Sequence, residues 1–196
     1  MAEQAVQTTY FSKTGQENTQ RTLELARDRA RQLGIDTILI ASTSGATGVL
    51  AAQLLQGFHT IIVSHSTGFA GPNTQELLPI HRVQIEAAGV PILTCQHTFG
   101  GVNRAVRRKL ETYELDEVVA HTLRVFGQGM KVVVEIAMMA ADAGLVRTDV
   151  PVISIAGTSN GADTAVVLLP SNAQDFFDLK ILEFICLPSE NHPAFH

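Results

Sequence analysis

Thr37-Ile38-Leu39-Ile40-Ala41-Ser42-Thr43-Ser44-Gly45-Ala46-Thr47-Gly48 is an apolar run that passes through a hydroxyl- and glycine-rich turn into a helical pattern. A strand feeding a helix through a short turn is the repeating unit of a parallel α/β architecture. The same stretch suggests chemistry. A helix N-terminus leaves backbone N–H groups unpaired and carries partial positive charge. Small residues there let an anion approach closely, and the hydroxyls of Ser42, Thr43, Ser44 and Thr47 add donors, so the turn reads as a phosphate cradle. An ordinary Ser or Thr N-cap would account for one hydroxyl but not for four small polar residues. A second turn, Gly157-Thr158-Ser159-Asn160-Gly161-Ala162, follows the apolar run 151–156. Asn-Gly is a favoured turn dipeptide, so this turn serves either to enter the next strand or to touch a ligand. Two such turns on one sheet can form one site.

Outward from these turns, apolar runs of strand length alternate with helical patterns through most of the chain, which predicts βαβ units with helices on both sheet faces. The strand candidates are 6–11, 37–42, 60–64, 90–94, 150–156, 165–169 and 180–187. Helices are expected at 18–33, where Leu23, Ala26, Ala30 and Leu33 share a face ahead of Gly34, at 46–55 before Gly57, and at 80–88 between Pro79 and Gly89. The alternation then pauses for helical patterns at 103–110, 115–126 and 128–143. The links around 165–169 and 180–187 are too short for helical crossovers, which predicts at least one antiparallel strand near the end of the chain.

At 196 residues, 45% hydrophobic and 17% charged, the chain reads as a single α/β domain over residues 1–196. A formal charge of -5, no tryptophan and two tyrosines argue against nucleic acid as a partner. Any anion must be bound locally. No signal-like N-terminus is seen, and Glu135 and Asp142 interrupt the most apolar stretch, so no membrane association is expected and a cytoplasmic location is. Cys95 and Cys186 lack CxxC spacing and read as buried free thiols.

Other candidate residues flank the turns. Lys13 could supply charge to a phosphate, with Asn18 as a helix cap or ligand contact. His65, Gly68 and Phe69 lie in a glycine-rich loop after an apolar run, where an aromatic ring suits stacking on a bound ring. Cys95 and His97 follow another run, but Cys-x-His matches no common zinc spacing, and no metal site is assigned. Gln128, Gly129 and Lys131 open a helix. Either they reach a pocket rim, or Lys131 and Glu135 form a surface i,i+4 pair worth a few tenths of a kcal/mol. Arg104, Arg107, Arg108 and Lys109 read as a solvated helix face. No catalytic residue can be named, because no paired carboxylates, nucleophile motif or metal set stands out.

The order of a helix, LGIDTILIASTSGATG, a helix and HTIIVSH in the first half, with VPVISIAGTSNGADTAVVL in the second, resembles the C-terminal α/β domain of pyruvate kinase. It is similar also to small stand-alone proteins of that kind, which carry a TGxENT segment, here Thr14-Gly15-Gln16-Glu17-Asn18-Thr19. The resemblance implies a three-layer α/β/α sandwich on a mostly parallel mixed sheet, with core order 3-2-1-4-5 and an antiparallel edge strand. It places 37–42 beside 150–156, so the two turns meet where the strand order reverses, the usual ligand position in open α/β sheets. It further implies that the site can hold flavin mononucleotide (FMN). The barrel domain that carries pyruvate kinase chemistry is not in this sequence, so the resemblance gives a fold and a pocket but no reaction. The expected function is binding of a phosphorylated small molecule, with FMN as the tentative cofactor, in a homo-oligomer. A flavin-dependent or phosphometabolite enzyme and a ligand-sensing regulatory domain are the alternatives. Gly45→Asp is then expected to repel the phosphate and leave the fold intact.

Overall fold

The computed structural model describes residues 3–195. Seven strands form one sheet: β1 (Thr9–Phe11), β2 (Thr37–Ala41), β3 (His59–Ser64), β4 (Ile92–Thr94), β5 (Val152–Ala156), β6 (Thr164–Leu169) and β7 (Lys180–Pro188). Their order is β1-β7-β6-β5-β2-β3-β4. The segment from β4 to β6 reproduces the expected core order, counting β2 as first, and β2 pairs in parallel with β5 through Ile38↔Ile153 and Ile40↔Ile155. β6 runs antiparallel to both neighbours, as the short links require. It does not lie at the edge of the sheet, because β7 and β1 extend the sheet beyond it. β1 is shorter than expected and meets only β7, through three residue pairs beginning at Thr9↔Cys186.

The helices are α1 (Thr19–Leu33), α2 (Ala46–Leu54), α3 (Pro79–Ala87), α4 (Val102–Leu110), α5 (Leu115–Leu123) and α6 (Gln128–Asp142). Gly34 ends α1 in the left-handed conformation, as its position predicted. The alternation of β2 sorts its side chains between two cores. Ile38 and Ile40 pack with Leu23, Ala26 and Ala30 of α1, Ala51 of α2 and Ile85 of α3. Leu39 packs on the other face with Ile61, Val63 and the apolar side of α6. Each fully buried Leu or Ile contributes about 1.5–3 kcal/mol, and because both faces are covered the strands read as continuous apolar runs. Among the described residues no helix is long and apolar enough to cross a membrane. Cys95 and Cys186 are free thiols; Cys186 is fully buried, Cys95 only half-buried. Burial pushes the Cys186 thiol up to about 12.

The turn between β2 and α2 is braced by α3. The Ser44 carbonyl accepts from Leu78 N (3.1 Å) and from His81 Nδ1 (2.8 Å). Gly45 has φ of 95°, and a Cβ there would lie 2.5 Å from His81 Cβ and 2.6 Å from Leu77 Cδ1. A side chain at this position therefore strikes α3 first. This corrects the expectation that Gly45→Asp would act on a ligand alone. Gly45→Ala is expected to cost about 1–3 kcal/mol through strain and overpacking, read as a lower midpoint in urea denaturation.

Candidate functional site

A cleft of about 650 Å³ opens at the carboxyl ends of β2, β3 and β5, within the roughly 300–1,000 Å³ range of small-molecule sites. It straddles the point where the strand order reverses between β2 and β5. Three helix N-termini line it: α1 through Thr19 and Gln20, with Gln16 of the 3-10 turn before it, α2 through Ala46 and Thr47, and α6 through Gln128 and Lys131. A helix N-terminus carries partial positive charge, although the Thr19 N–H of α1 is already taken by the Gln16 carbonyl of the 3-10 turn that precedes it.

In the first turn, Ser42, Thr43, Ser44 and Thr47 all line the cleft. They do different things. Ser42 Oγ accepts from Gly48 N at 3.1 Å and so completes the α2 N-terminus. Thr43 Oγ1 lies 3.3 Å from His65 Nε2. Gly45 is absent from the lining, since it faces α3.

The second turn contributes Gly157, Ser159, Asn160 and Gly161 to the opposite wall. Thr158 does not line the cleft: its N–H donates to Asp163 Oδ2 at 3.1 Å and its Oγ1 is buried. Asp163, fully buried, is the organiser that the sequence reading missed. It also accepts from Gly15 N at 3.0 Å and from Thr164 Oγ1 at 2.8 Å, so one carboxylate ties the second turn to the loop before α1. Thr19 Oγ1 accepts from Ala162 N at 3.0 Å in the same junction. Gly161 makes the close approach possible, for a Cβ there would sit 2.3 Å from Thr19 Oγ1 and 2.5 Å from Gln16 Cα.

Lys13 is exposed and outside the cleft, and Asn18 uses its Nδ2 to donate to the Lys13 carbonyl at 2.8 Å. Both therefore shape the loop and do not line the site. Gly68 is likewise outside the lining, while its neighbour Phe69 is inside.

The floor is electrostatic. Lys131 and Glu135 do not sit on a solvated surface: they are 6% and 2% exposed, because α6 is packed between the sheet and the α5 side. Lys131 Nζ donates to Glu135 Oε2, Phe99 N donates to Oε1 at 3.1 Å, and His97 Nδ1 stands 3.6 Å from Oε2, an ion-pair separation. Burial alone would raise the Glu135 carboxyl, but His97 and Lys131 outweigh it and hold the group at about 2. Burial pushes Lys131 downward, and its carboxylate partner only partly offsets this.

Two further cations reach the cleft. Arg124, unremarked in the sequence, lines it while donating through Nε to Gln128 Oε1 at 2.7 Å. Arg104 is not part of a solvated face. It turns inward with its guanidinium 4.3 Å above the Phe69 ring, and its buried Nε has no hydrogen-bond partner among the described residues. Arg107 instead pairs with Glu117 at 3.1 Å, and Arg108 and Lys109 are exposed.

Beyond β3, His65 Nδ1 meets Glu76 Oε2 at 2.7 Å. Phe69 packs against His65 (centroids 4.1 Å apart) and His97 (4.9 Å), besides Arg104. Its ring is thus already engaged by three side chains. Cys95 lines a neighbouring open pocket and does not join His65 and His97 as a metal set; among the described residues no cluster of three such side chains could hold an ion.

The family profile described as "Pyruvate kinase, alpha/beta domain" matches residues 20–168, from the start of α1 into β6, leaving β1 and β7 outside. Among solved structures, a pyruvate kinase from Cryptosporidium parvum is 14% identical with a TM-score of 0.40, over 77% of this chain and 22% of that one. The same organism's pyruvate kinase in complex with ADP is 13% identical with a TM-score of 0.38, over 84% of this chain and 23% of that one. The chain therefore spans less than a quarter of the length of these enzymes.

Proposed function

The chain belongs to the pyruvate kinase alpha/beta domain family, and from that premise we propose that its cleft binds a phosphorylated small molecule between the turns at 42–47 and 157–161. One observation carries this reading. In a chain of net charge -5, the N-termini of α2 and α6 and the cations Lys131, Arg104 and Arg124 converge on one cleft, against two carboxylates, the exposed Glu17 and the buried Glu135, the latter itself paired. Such a field favours an anion with several acceptor oxygens.

FMN is one member of that class. Hydroxyls of Thr43, Ser44 and Ser159, the amides of Gln128 and Asn160, and Lys131 suit its phosphate and ribityl chain. Its ring fits less well, because Phe69 is already packed by His65, His97 and Arg104. When bound, a flavin would supply one- or two-electron redox chemistry. A regulatory reading, in which the ligand shifts a homo-oligomer, is favoured by exposed apolar side chains on α4 and α5, among them Val102 and Leu115, both about three-quarters exposed.

The test is an absorption spectrum of the freshly purified protein, followed by mass spectrometry of whatever heat releases. A flavin spectrum or another phosphorylated metabolite supports the reading. Protein that releases none and shows no heat of binding with FMN or inorganic phosphate overturns it. For the molecule identified, Arg124→Gln is expected to weaken affinity about tenfold, the loss of one charge-assisted hydrogen bond, as measured by calorimetric titration. Size-exclusion chromatography with light scattering, with and without that molecule, tests the regulatory reading.

A further inference from the structure

Thr43, His65 and Glu76 come from three separate places in the chain and meet at the β2–β3 end of the cleft. Thr43 Oγ1 is 3.3 Å from His65 Nε2, and His65 Nδ1 is 2.7 Å from Glu76 Oε2. A carboxylate only accepts, so Nδ1 carries a proton toward Glu76. In the neutral imidazole this leaves Nε2 as the acceptor and the Thr43 hydroxyl as its donor. Burial lowers the His65 pKa despite Glu76, which favours that neutral form. Hydroxyl, imidazole and carboxylate thus stand in the order of a nucleophile, its base and the group that orients the base.

The surroundings match. Thr43 and His65 both line the cleft, and Gln75 Nε2 donates to the His65 carbonyl at 3.0 Å, fixing the loop that carries Glu76. Thr43 sits on a strand-to-helix turn, and the N–H groups of Ser44 and Gly45 that follow it donate to no other described residue. Of the two residues only Ser44 lines the cleft, and an uncommitted backbone N–H next to the nucleophile is the kind of donor an oxyanion needs.

From this geometry we propose that the cleft hydrolyses a carboxylic ester, with Thr43 as nucleophile, His65 as general base and acid, and Glu76 as positioning residue. That the ester carries a phosphate handle rests on the binding reading above. Thr43 Oγ1 attacks the ester carbonyl carbon while its proton passes to His65 Nε2. The tetrahedral oxyanion collapses, the bond to the leaving alcohol breaks, and that oxygen takes the proton from Nε2. Water then attacks the threonyl ester and gives its proton to His65, the acid departs, and Thr43 Oγ1 recovers the proton. The sum is ester plus water to acid plus alcohol. Attack at carbon suits a single imidazole, because in-line displacement at phosphorus puts the leaving oxygen on the side opposite the base.

The experiment uses 4-nitrophenyl acetate with the full chain. Wild type is expected to release nitrophenolate above the buffer rate. Thr43→Val and His65→Gln are expected to lose about 100-fold or more, Thr43→Ser to retain activity, and Glu76→Gln to lower kcat at unchanged KM. Wild-type hydrolysis no faster than buffer, or an unchanged rate in Thr43→Val, overturns the proposal. Calorimetry with inorganic phosphate separates the two readings: hydrolysis without phosphate binding leaves the triad standing and removes the handle, and phosphate binding without hydrolysis removes the triad alone.

Discussion

Glu135→Leu is expected to lower the unfolding free energy by about 3–5 kcal/mol, the usual cost of removing one partner from a buried ion pair. The substitution leaves Lys131 buried with Arg104 and Arg124 as its charged neighbours, and the Phe99 N–H loses its acceptor. The double variant Lys131→Met/Glu135→Leu should recover most of the loss, because it removes the unpaired charge along with its partner. Denaturant titration of the three proteins reads both effects. The wild type should also show a specific acid limb. Glu135 is held at about 2 against an ordinary 4.5, so its contribution is complete above pH 4.5 and fades as pH falls toward 2. The difference corresponds to about 3 kcal/mol. Glu135→Leu should lack that part of the acid limb. A single variant as stable as the wild type would remove the buried pair from the account of the cleft.

Asp163→Ala should cost about 3 kcal/mol and loosen the turn at 157–161 together with the loop at 13–18. The carboxylate is the acceptor for Gly15 N, Thr158 N and Thr164 Oγ1, and hydrogen bonds to a charged group are worth about 1.5–3 kcal/mol each. Water can re-solvate part of what is lost, which keeps the sum below three full bonds. Hydrogen exchange should rise at residues 13–18 and 157–163 alike while the amides of β2 and β3 keep their protection. Exchange confined to one of the two segments would show that Asp163 does not couple them.

Much of the architecture could be read from residue order, and the reasons are local. Apolar runs bounded by glycines marked the strands, and the short links on either side of 164–169 marked the antiparallel one. The hydroxyl-rich turn at 42–47 and the second turn at 157–161 come to face one cleft because β2 and β5 are neighbours. What escaped detection depended on long-range placement. Lys131 and Glu135 have the spacing of a surface pair, and only the covering of α6 on its apolar sides turns that pair inward. The signal was present: two opposite charges four residues apart within an otherwise apolar helix have to satisfy each other. Arg104 shares its segment with three other cations, and nothing local distinguishes the one that meets Phe69. Asp163 bonds to Gly15 across 148 positions, a contact no local pattern announces.

The pairing of β1 with β7 makes completion of the cleft a late event in the history of each molecule. During synthesis β2 and β3 can associate early, but the loop at 12–18 is anchored through residues that emerge much later: Asp163 for Gly15 and Glu190 for Thr14. The Thr9↔Cys186 register spans almost the whole chain, so its closure must follow the more local pairings. A nascent chain halted before residue 157 would hold the first turn and the α2 N-terminus but lack the opposite wall, and one halted before residue 163 would lack the carboxylate that ties that wall to Gly15 and Thr158. On the binding reading proposed above, capture of a ligand would thus require both walls to have been made, and a ligand specific to the completed cleft would stabilise the native state by mass action without hastening the steps before it.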